Sequence, residues 1–379
     1  MNESLSKAKQ AKNDEFYTQY SDIEAEMNAY VAYNAGVFRG KTILLPCDDP
    51  EWSNFTKYFA ANFERFGLKK LISTSYAKGA SNEQLTLFEE MSPLFDKEKH
   101  ETRGKLFTLT HDTDGSGNID SDDIEFSGYL EGDGDFRSAE LRELRDEADI
   151  IITNPPFSLF REFLAWIMEG KKQFVIIASK NAITYKEVFP LLKENRIWLG
   201  PGFSGGNAFF RIAPEQVREF ASGVFDEKTG LVKFRNVGWF TNIDHGARHE
   251  ALILDTMEHN LKYNKKLRKK LEEEYGTTDY PFFDNYDAIE VPFTECIPSD
   301  YDGVMGVPIT FLDKYNPEQF ELLGITQRND DPYKLKKYSK NQYANANDLN
   351  ARGTILVHGI PKSIYPRILI RPKKGGSAQ

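Results

Sequence analysis

The chain has 379 residues, of which 40% are apolar and 28% charged, a composition typical of a folded protein large enough for two domains. No run approaches the roughly 18 apolar residues of a membrane-spanning helix, and the first residues lack the apolar core of a secretory signal. The two cysteines, Cys47 and Cys296, exclude a disulfide framework and a cysteine-only metal site. We therefore expect a cytoplasmic protein in a reducing environment.

The charge is unevenly distributed along the chain, whose net charge is −10. Asp112–Asp149 holds 14 acidic residues and 3 arginines, a net −11, whereas Arg328–Gln379 holds 11 basic and 3 acidic residues, a net +8. A further basic run lies at Lys262–Lys270. The pattern predicts an acidic insert and a basic C-terminal part able to bind phosphates. The alternative for each lysine run is an ordinary solvated helix face.

Apolar segments before residue 180 predict buried strands at Lys41–Pro46, Lys70–Thr74, Asp149–Thr153 and Phe174–Ser179. Between the first two, phenylalanines recur at helical spacing and predict a helix that ends at Gly67, with Asp49 or Ser53 as its N-cap. A second helix is predicted at Leu159–Glu169. Continuous apolar strands alternating with amphipathic helices indicate an α/β fold with a parallel sheet covered on both faces. Such sheets bind ligands at the carboxyl ends of their strands.

The pattern changes past about residue 256, where short apolar pieces are separated by Pro, Asn, Asp and Gly. We predict a domain boundary near residue 255. The first domain would span residues 1–255, with the acidic insert at 110–135, and the second would span 256–379.

The most informative motif is Asn154-Pro155-Pro156-Phe157, which directly follows a predicted strand. Prolines cannot donate backbone hydrogen bonds, and a residue before proline is held extended. The carbonyl oxygens of the turn and of Asn154 therefore suit a planar substrate with an exocyclic amine, and the Phe157 ring can stack on its face. Hydrogen bonds to both N–H groups stabilise the positive charge that develops as such an amine attacks. The alternative is a proline-rich turn with no catalytic role.

Asn-Pro-Pro-Phe after an apolar strand resembles the catalytic motif of amino-group methyltransferases that use S-adenosylmethionine. Other segments together resemble the EcoRI-type family of adenine-specific DNA methyltransferases, in an order that spans about residues 12–370. These segments are DEFYTQ (14–19), LLPCDDPEWSNF (44–55), GDGDFRS (132–138), ADIIITNPPFSLFREF (148–163), KNAITYKEVFP (180–190), WFTNIDH (239–245) and YDGVMGVPITFLDKYNPEQFE (301–321).

The resemblance implies a Rossmann-like methyltransferase fold with a C-terminal target-recognition region that binds DNA. It implies methylation of the N6 amino group of a flipped adenine in double-stranded DNA. It also implies a restriction–modification or phage-defence context, with a companion endonuclease as a partner. We expect a monomer with no membrane partner.

The resemblance assigns catalysis to Asn154, Pro155, Pro156 and Phe157. The expected S-adenosylmethionine site comprises Phe16, Tyr17, Thr18, Pro46, Cys47, Asp48, Asp49, Trp52, Asp135, Phe136 and Asn154. The chain departs from the usual pattern at Cys47-Asp48-Asp49-Pro50-Glu51, where most methyltransferases have a glycine-rich turn. These acids could pair with the amino group of the cofactor, or they could simply cap the following helix.

An acidic loop after residue 111 has the spacing of a calcium-binding loop. Its oxygen ligands would be Asp112, Asp114, Ser116, Asn118, Asp120 and Asp123. Position 12 of the loop is Asp rather than Glu, and no second loop pairs with it. The sequence therefore leaves two alternatives open, structural calcium and a solvated acidic insert.

Three further patterns in the sequence are weaker indications of a functional site. Gly200, Gly202 and Gly205 spell a dinucleotide-binding pattern, but a strand rather than a helix is predicted after them. His245 and His249 lie four apart without a third metal ligand. Trp239 and Phe240 are expected in the core rather than as base-stacking side chains.

Other substrates and functions also fit parts of the sequence. The motif alone would allow transfer to an adenine of RNA or to a protein glutamine, whereas the basic C-terminal region favours DNA. A non-catalytic DNA- or calcium-binding protein is the alternative from another class.

Overall fold

The computed structural model describes residues 17–46, 48–50, 53–77, 92–203, 207–211, 223–327 and 333–373. The chain forms two compact units. The first comprises Met1–Lys180 and Leu199–His245, and the second comprises Asn181–Trp198 and Gly246–Gln379. The boundary predicted near residue 255 therefore differs from these units, because segment 181–198 groups with the second unit. The pattern of apolar and polar residues does not indicate that the chain leaves the first unit at residue 181 and returns to it at residue 199.

The helices of the described residues are short, and the longest has 14 residues. They are α1 (Tyr20–Tyr33), α2 (Asn54–Ala61), α3 (Phe63–Phe66), α4 (Lys97–Thr102), α5 (Ala139–Glu147), α6 (Phe160–Glu169), α7 (Phe189–Lys193), α8 (Met257–Tyr263), α9 (Lys265–Lys269) and α10 (Ala346–Ala351). No helix in the described ranges is both long and apolar enough to cross a membrane.

The first unit contains most of the strands. These are β1 (Tyr17–Thr18), β2 (Thr42–Leu45), β3 (Lys70–Ser75), β4 (Lys105–Leu109), β5 (Glu125–Tyr129), β6 (Ile150–Thr153), β7 (Gln173–Ser179), β8 (Trp198–Leu199, at the crossing point), β9 (Asn207–Arg211), β10 (Phe225–Asp226), β11 (Leu231–Arg235) and β12 (Val237–Thr241). The described strands build an eight-stranded sheet in the order β5-β4-β3-β2-β6-β7-β12-β8 and a four-stranded sheet in the order β1-β9-β11-β10.

The four predicted strands are confirmed as the adjacent parallel strands β3-β2-β6-β7. The complete sheet is mixed, because β4, β5 and β12 pair antiparallel at the flanks of these parallel strands. The mixed α/β class is confirmed. The central strands are apolar because both of their faces are buried, and Ile43, Ile150 and Ile177 are completely buried there.

The predicted phenylalanine-rich helix is present in two pieces, α2 and α3, and ends at Gly67 in the left-handed conformation with φ 63°. Of the two candidate caps, the structure uses Ser53, whose side chain accepts hydrogen bonds from the backbone N–H groups of Phe55 and Thr56. The predicted helix at 159–169 is α6, which is preceded by a 3₁₀ turn at Phe157–Leu159.

The second unit contains β13 (Ile289–Glu290), β14 (Met305–Pro308), β15 (Phe320–Ile325), β16 (Thr354–Val357), β17 (Ile360–Ser363) and β18 (Arg367–Pro372). Four of them form a sheet in the order β13-β14-β18-β15, and β16 and β17 form a separate hairpin. A buried ion pair holds this sheet, because the guanidinium of Arg367 donates to Glu290 from Nε at 3.0 Å and from Nη2 at 2.6 Å.

Candidate active site

The carboxyl ends of β2, β3 and β6 meet at one edge of the large sheet, as the sequence predicted. The backbone N–H of Asp48, in the loop after β2, donates to the carbonyl of Thr74 on β3 at 2.7 Å. The hydroxyl of Thr153, the last residue of β6, lies 2.8 Å from the carbonyl oxygen of Pro46. The Asn154 turn therefore begins directly beside the loop after β2.

Asp48 connects these strands through its buried carboxyl group. Ser53 Oγ donates to Asp48 Oδ1 at 2.7 Å, and Thr153 Oγ1 lies 2.6 Å from Asp48 Oδ2. The backbone carbonyl of Asp48 accepts from the hydroxyls of Thr56 and Ser73. Because both carboxyl oxygens have partners within the protein, the carboxyl group is better suited to holding the loop than to pairing with the amino group of a cofactor.

The protonation state of Asp48 follows from its surroundings. Burial raises the pKa of Asp48 to about 7, although hydrogen bonds from Thr153 and Ser53 oppose the increase. Thr153 has one hydroxyl hydrogen but two oxygen neighbours, Pro46 O and Asp48 Oδ2. The Thr153 hydroxyl therefore shares its one hydrogen between these two oxygens, and its hydrogen bond to Asp48 is correspondingly weaker.

The short strand β1 lies against the start of α2. Asn54 Nδ2 donates to the backbone carbonyl of Thr18 at 2.7 Å, and β1 pairs antiparallel with β9. Thr18 is thus held next to the loop after β2. Tyr17 precedes it on the same strand and is half-buried.

Three buried hydroxyl groups belong to residues of this region, those of Thr18, Thr74 and Ser75. Within the part of the chain that the structure describes, their oxygen atoms have no hydrogen-bond partner. A buried hydroxyl without a partner is costly. These three groups are therefore available for the polar groups of a ligand.

The GDGDFRS segment packs against the end of β3. The N–H of Ala77 donates to the carbonyl of Asp133 at 2.8 Å, and Gly134 has φ 90°, with a position for a Cβ only 2.6 Å from the carbonyl oxygen of Ser75. Only glycine fits this close approach. The segment therefore lies where a ligand at the end of β3 would meet it.

The two candidate residues of that segment have different surroundings. Burial would raise the pKa of Asp135, but hydrogen bonds and the positive charge of Arg137 outweigh burial and hold the pKa below its usual value. The Phe136 ring is buried against Phe163 and Trp166, with ring centres 5.0 and 5.8 Å away. Phe136 thus packs under α6, and its cofactor role stays a prediction, as does that of Asp135.

The Asn154–Phe157 turn leaves β6 as an irregular segment. Pro155 and Pro156 are buried, and Asn154 is half-buried with its side-chain oxygen Oδ1 enclosed. The carbonyl of Pro156 accepts from the N–H of Leu159 at 2.9 Å, whereas no backbone N–H of a described residue donates to the carbonyl of Pro155. Two acceptors of the motif, Asn154 Oδ1 and Pro155 O, therefore belong to consecutive residues.

The half-buried ring of Phe157 meets the second sheet of the same unit. It lies edge-on to Phe234 of β11, with ring centres 6.2 Å apart. Phe234 in turn contacts Phe210 on β9 at 5.5 Å. The smaller sheet thus supports the ring at the side of the turn.

Some predicted cofactor residues cannot be placed. Phe16, Cys47 and Trp52 lie outside the described residues. Asp49 is half-buried, and its backbone carbonyl accepts from the N–H of Ser53 at 2.7 Å. The backbone of Asp49 therefore supports the cap of α2, and the cofactor role of Asp49 stays a prediction.

Sequence reasoning missed Glu26, a completely buried acid on α1. The hydroxyl of Tyr30 and, at 2.6 Å, the N–H of Gly202 donate to its carboxyl group, and burial raises the pKa of Glu26 to about 7. Glu26 also packs against Gly200, leaving no room for a Cβ there. The close approach of the Glu26 carboxyl group explains why positions 200 and 202 of the dinucleotide-like pattern are glycine. The sequence could have indicated this buried acid, because Glu26 lies on the same helix face as the apolar residues Ile23, Met27 and Tyr30.

The acidic loop brings together part of the expected calcium ligands. Carboxylate oxygens of Asp112, Asp114 and Asp123 lie within 4.8 Å of one another. Asp123 Oδ1 accepts from the N–H groups of Thr113 and Asp114, and Asp112 accepts from those of Gly115 and Gly117. These carboxylates thus shape the loop through its own backbone, and among the expected carboxylate ligands Asp120 is not part of the group. Calcium binding stays a prediction.

The two histidines have separate partners. His245 Nε2 lies 2.9 Å from the carbonyl of Leu199, and His249 Nδ1 lies 2.9 Å from Glu318 Oε1. Trp239 and Phe240 are completely buried, which confirms the prediction that they belong to the core.

Comparison with known proteins confirms the resemblance. Residues 4–373 match the family model described as Adenine-specific methyltransferase EcoRI. The chain is 44% identical over 324 residues to Type II methyltransferase M.EcoRI of Escherichia coli, covering 85% of this chain and 89% of that protein. It is 32% identical over 376 residues to Type II methyltransferase M.MpnI of Mycoplasma pneumoniae, covering 98% of each.

A similar relative is Type II methyltransferase M.MgeORF184P of Mycoplasma genitalium. It is 32% identical over 373 residues, which cover 98% of this chain and 99% of that protein. No solved structure matches significantly. The family match over nearly the whole chain, together with these identities, shows that the chain belongs to the EcoRI family of adenine-specific methyltransferases.

Proposed function

We propose that this methyltransferase transfers a methyl group from S-adenosylmethionine to the N6 amino group of an adenine in double-stranded DNA, at the Asn154–Phe157 turn. The single observation that carries the proposal is the position of this turn. It lies at the carboxyl edge of the parallel strands, beside the loop after β2. That edge is where α/β sheets bind ligands. The proposal includes a Rossmann-like methyltransferase fold for the first unit.

Asn154 and Pro155 hold the reacting amine in this proposal. Asn154 Oδ1 and the carbonyl of Pro155 accept its two N–H hydrogens, which orients the nitrogen lone pair and stabilises the positive charge that develops during attack. Pro156 keeps the turn rigid through its fixed φ. The enclosed position of Asn154 Oδ1 strengthens these hydrogen bonds, because water competes less there.

Phe157 provides the stacking surface for the base. An adenine within duplex DNA must leave the helix to reach the turn, at a cost of a few kcal/mol. Stacking on an aromatic ring contributes roughly 1–3 kcal/mol and offsets part of that cost. The edge contact between Phe157 and Phe234 fixes the ring before the base arrives.

The residues at the sheet edge fit S-adenosylmethionine. The buried hydroxyls of Thr18, Thr74 and Ser75 offer hydrogen bonds for its ribose and amino-acid groups, and the Asp133–Asp135 loop lies beside them. When bound, the cofactor supplies a methyl group activated by a positively charged sulfur. Asp48 connects the loop after β2 to the end of β6 through its contact with Thr153. We therefore assign Asp48 a positioning role instead of a cofactor contact.

The biological setting follows from the named relatives. They are Type II methyltransferases, which supports a restriction–modification role with a companion endonuclease. A monomeric enzyme is a further part of the proposal. A DNA substrate would place the activity in the cytoplasm. The second unit supplies DNA recognition in this proposal.

Asn154→Ala tests the proposed site. The variant and the native protein are incubated with plasmid DNA and radiolabelled S-adenosylmethionine, and sequencing that detects modified adenine maps the product. We expect Asn154→Ala to lower the rate about 100-fold or more and to leave DNA binding, measured by fluorescence anisotropy, nearly unchanged.

Asn118→Ala is the matched control, because it makes the same chemical change in the exposed acidic loop. Turnover of Asn154→Ala within about tenfold of the native rate would show that the amine is not held by Asn154. Native protein that methylates RNA or a protein glutamine in preference to DNA would overturn the substrate assignment.

A further inference from the structure

The hairpin formed by β16 and β17 is a regular pair of strands in the second unit, and several of its side chains are exposed. Its strands pair antiparallel from Thr354–Ser363 to Val357–Ile360. The two-residue turn between them is His358-Gly359, with φ 50° and 79°. Positive φ at both positions is typical of the type I′ turn, whose twist matches that of the strands. The end of the hairpin is therefore a regular, narrow ribbon.

The base of the hairpin is firmly attached. Thr354 is completely buried, and its N–H donates to Asn285 Oδ1 at 2.8 Å. The N–H of Ile364 donates to the carbonyl of Gly353 at 2.8 Å. The His358 ring covers Gly276, where a Cβ would come within 2.6 Å of it. The ribbon is thus held in one orientation before any partner binds.

The end of the ribbon carries exposed apolar side chains. Leu356 is 47% exposed and Ile360 is 69% exposed. Leu356 pairs with Pro361 and Ile360 pairs with Val357, so Leu356 and Ile360 point to opposite faces of the ribbon. A flat protein surface covers one face of a ribbon, whereas a groove that admits the ribbon covers both. The arrangement therefore favours insertion.

The charge around the hairpin favours a polyanion. Between Leu349 and Lys373 the sequence contains no Asp or Glu. Its basic residues at the surface are Arg352, Lys362, Arg371 and Lys373, whereas Arg367 is buried in the ion pair with Glu290. The guanidinium of Arg352 lies 6.0 Å from the ring of Tyr365, which is 78% exposed, and 3.5 Å from Asp348, an exposed pair that contributes little.

In the basic run at Lys262–Lys270, three of the six basic residues form ion pairs with acids of the same unit. Lys266 pairs with Glu295 at 3.1 Å, and Lys270 pairs with Glu274 at 2.5 Å. Lys269 is 3.9 Å from Glu273. The hairpin differs from this run in its narrow ribbon, which carries the exposed side chains of Leu356 and Ile360.

We propose that the β16–β17 hairpin enters a groove of the DNA substrate and contacts base edges with Leu356 and Ile360, while Arg352 binds a flanking phosphate. A two-stranded ribbon fits the major groove, which is about 12 Å wide, and apolar side chains at such a position contact thymine methyl groups or wedge between base pairs. This inference rests on the proposed function, because it takes duplex DNA as the substrate.

The test compares the double variant Leu356→Ser/Ile360→Ser with Ile253→Ser, a fully exposed isoleucine of the same unit outside the hairpin. Binding is measured by fluorescence anisotropy with two duplexes, one containing the sequence that the native protein methylates in plasmid DNA and one scrambled. We expect the double variant to bind the target duplex about tenfold more weakly and to bind the scrambled duplex as before. Ile253→Ser should bind both duplexes as the native protein does.

Arg352→Gln tests the phosphate contact. It should weaken binding to both duplexes and lower the slope of log affinity against log salt by about one. Thermal melting shows whether each variant is folded, and size-exclusion chromatography shows whether its oligomeric state has changed.

The outcomes separate this inference from the proposed function. Native-like target affinity of a folded double variant would overturn the role of the hairpin, as would an equal loss with Ile253→Ser. A changed oligomeric state with unchanged DNA affinity would identify the hairpin as a protein contact and would overturn it too. If the native protein methylates no DNA, the proposed function fails, whatever the hairpin variants do.

Discussion

Two acid-bearing loops of the first unit use their carboxyl groups in opposite ways. In the loop after β2, Asp48 contacts the side-chain hydroxyls of Ser53 and Thr153, and burial raises its pKa to about 7. In the acidic loop, the N–H groups of Asp120 and Thr113 donate to Asp123 and hold its pKa below its usual value.

The difference shows that burial raises the pKa of an acid and that hydrogen-bond donors around it lower the pKa. Several backbone N–H groups stabilise a carboxylate even within the net negative segment 112–149. A few hydroxyls do not compensate for the loss of water around Asp48. Asp48 therefore exchanges its proton near neutral pH, whereas Asp123 keeps its negative charge there.

Among the variants that test this comparison, Asp48→Ala should have the largest effect on the free energy of unfolding. The substitution removes the buried partner of two hydroxyl groups, so we expect the free energy of unfolding to fall by about 3 kcal/mol. Chemical denaturation at pH 6 measures the change. Asp114→Ala in the exposed acidic loop is the matched control, with an expected loss below about 1 kcal/mol. Equal losses would contradict the special position of Asp48.

A pH series tests the neutral state of Asp48. Because its pKa is raised in the folded protein, its contribution to stability is fully present below the pKa of the unfolded chain and is lost as pH rises through about 7. Between pH 5 and pH 8 we expect a loss of about 2–3 kcal/mol from this group. Asp48→Asn keeps a donor and an acceptor but does not titrate, so it should flatten the profile.

Glu26 contributes pH dependence of the same sign, because burial also raises its pKa to about 7. The free energy of unfolding of Asp48→Asn should therefore still fall somewhat as pH rises. Adding Glu26→Gln should remove this remaining decrease. Parallel profiles for the native protein and Asp48→Asn would show that Asp48 is ionised throughout the range.

The smallest expected effect is that of calcium on the acidic loop. Asp112 and Asp123 already accept backbone N–H groups, so we expect millimolar calcium to raise the Tm by less than about 1 °C relative to a chelator. Differential scanning calorimetry measures the shift, with magnesium as the control. A calcium-specific rise of several degrees would instead support a bound ion.

The sequence by itself determined the central strands, the sheet edge at which the proposed site lies and the position of the Asn154 turn. Apolar runs such as Ile150–Thr153 can be buried only in a sheet covered on both faces, and two prolines fix the geometry of the turn locally. The family also followed from the sequence, because the order of several short motifs is a property of the chain alone.

Only the tertiary structure decided which groups meet. The contact of Thr153 with Asp48 spans 105 residues, and that of Glu26 with Gly202 spans 176. The antiparallel flanks of the sheet, the burial of the Phe136 ring and the placement of segment 181–198 in the second unit depend on such distant contacts as well. Local patterns report which face of an element is apolar, but desolvation and hydrogen-bond donors are set by whatever packs against that face.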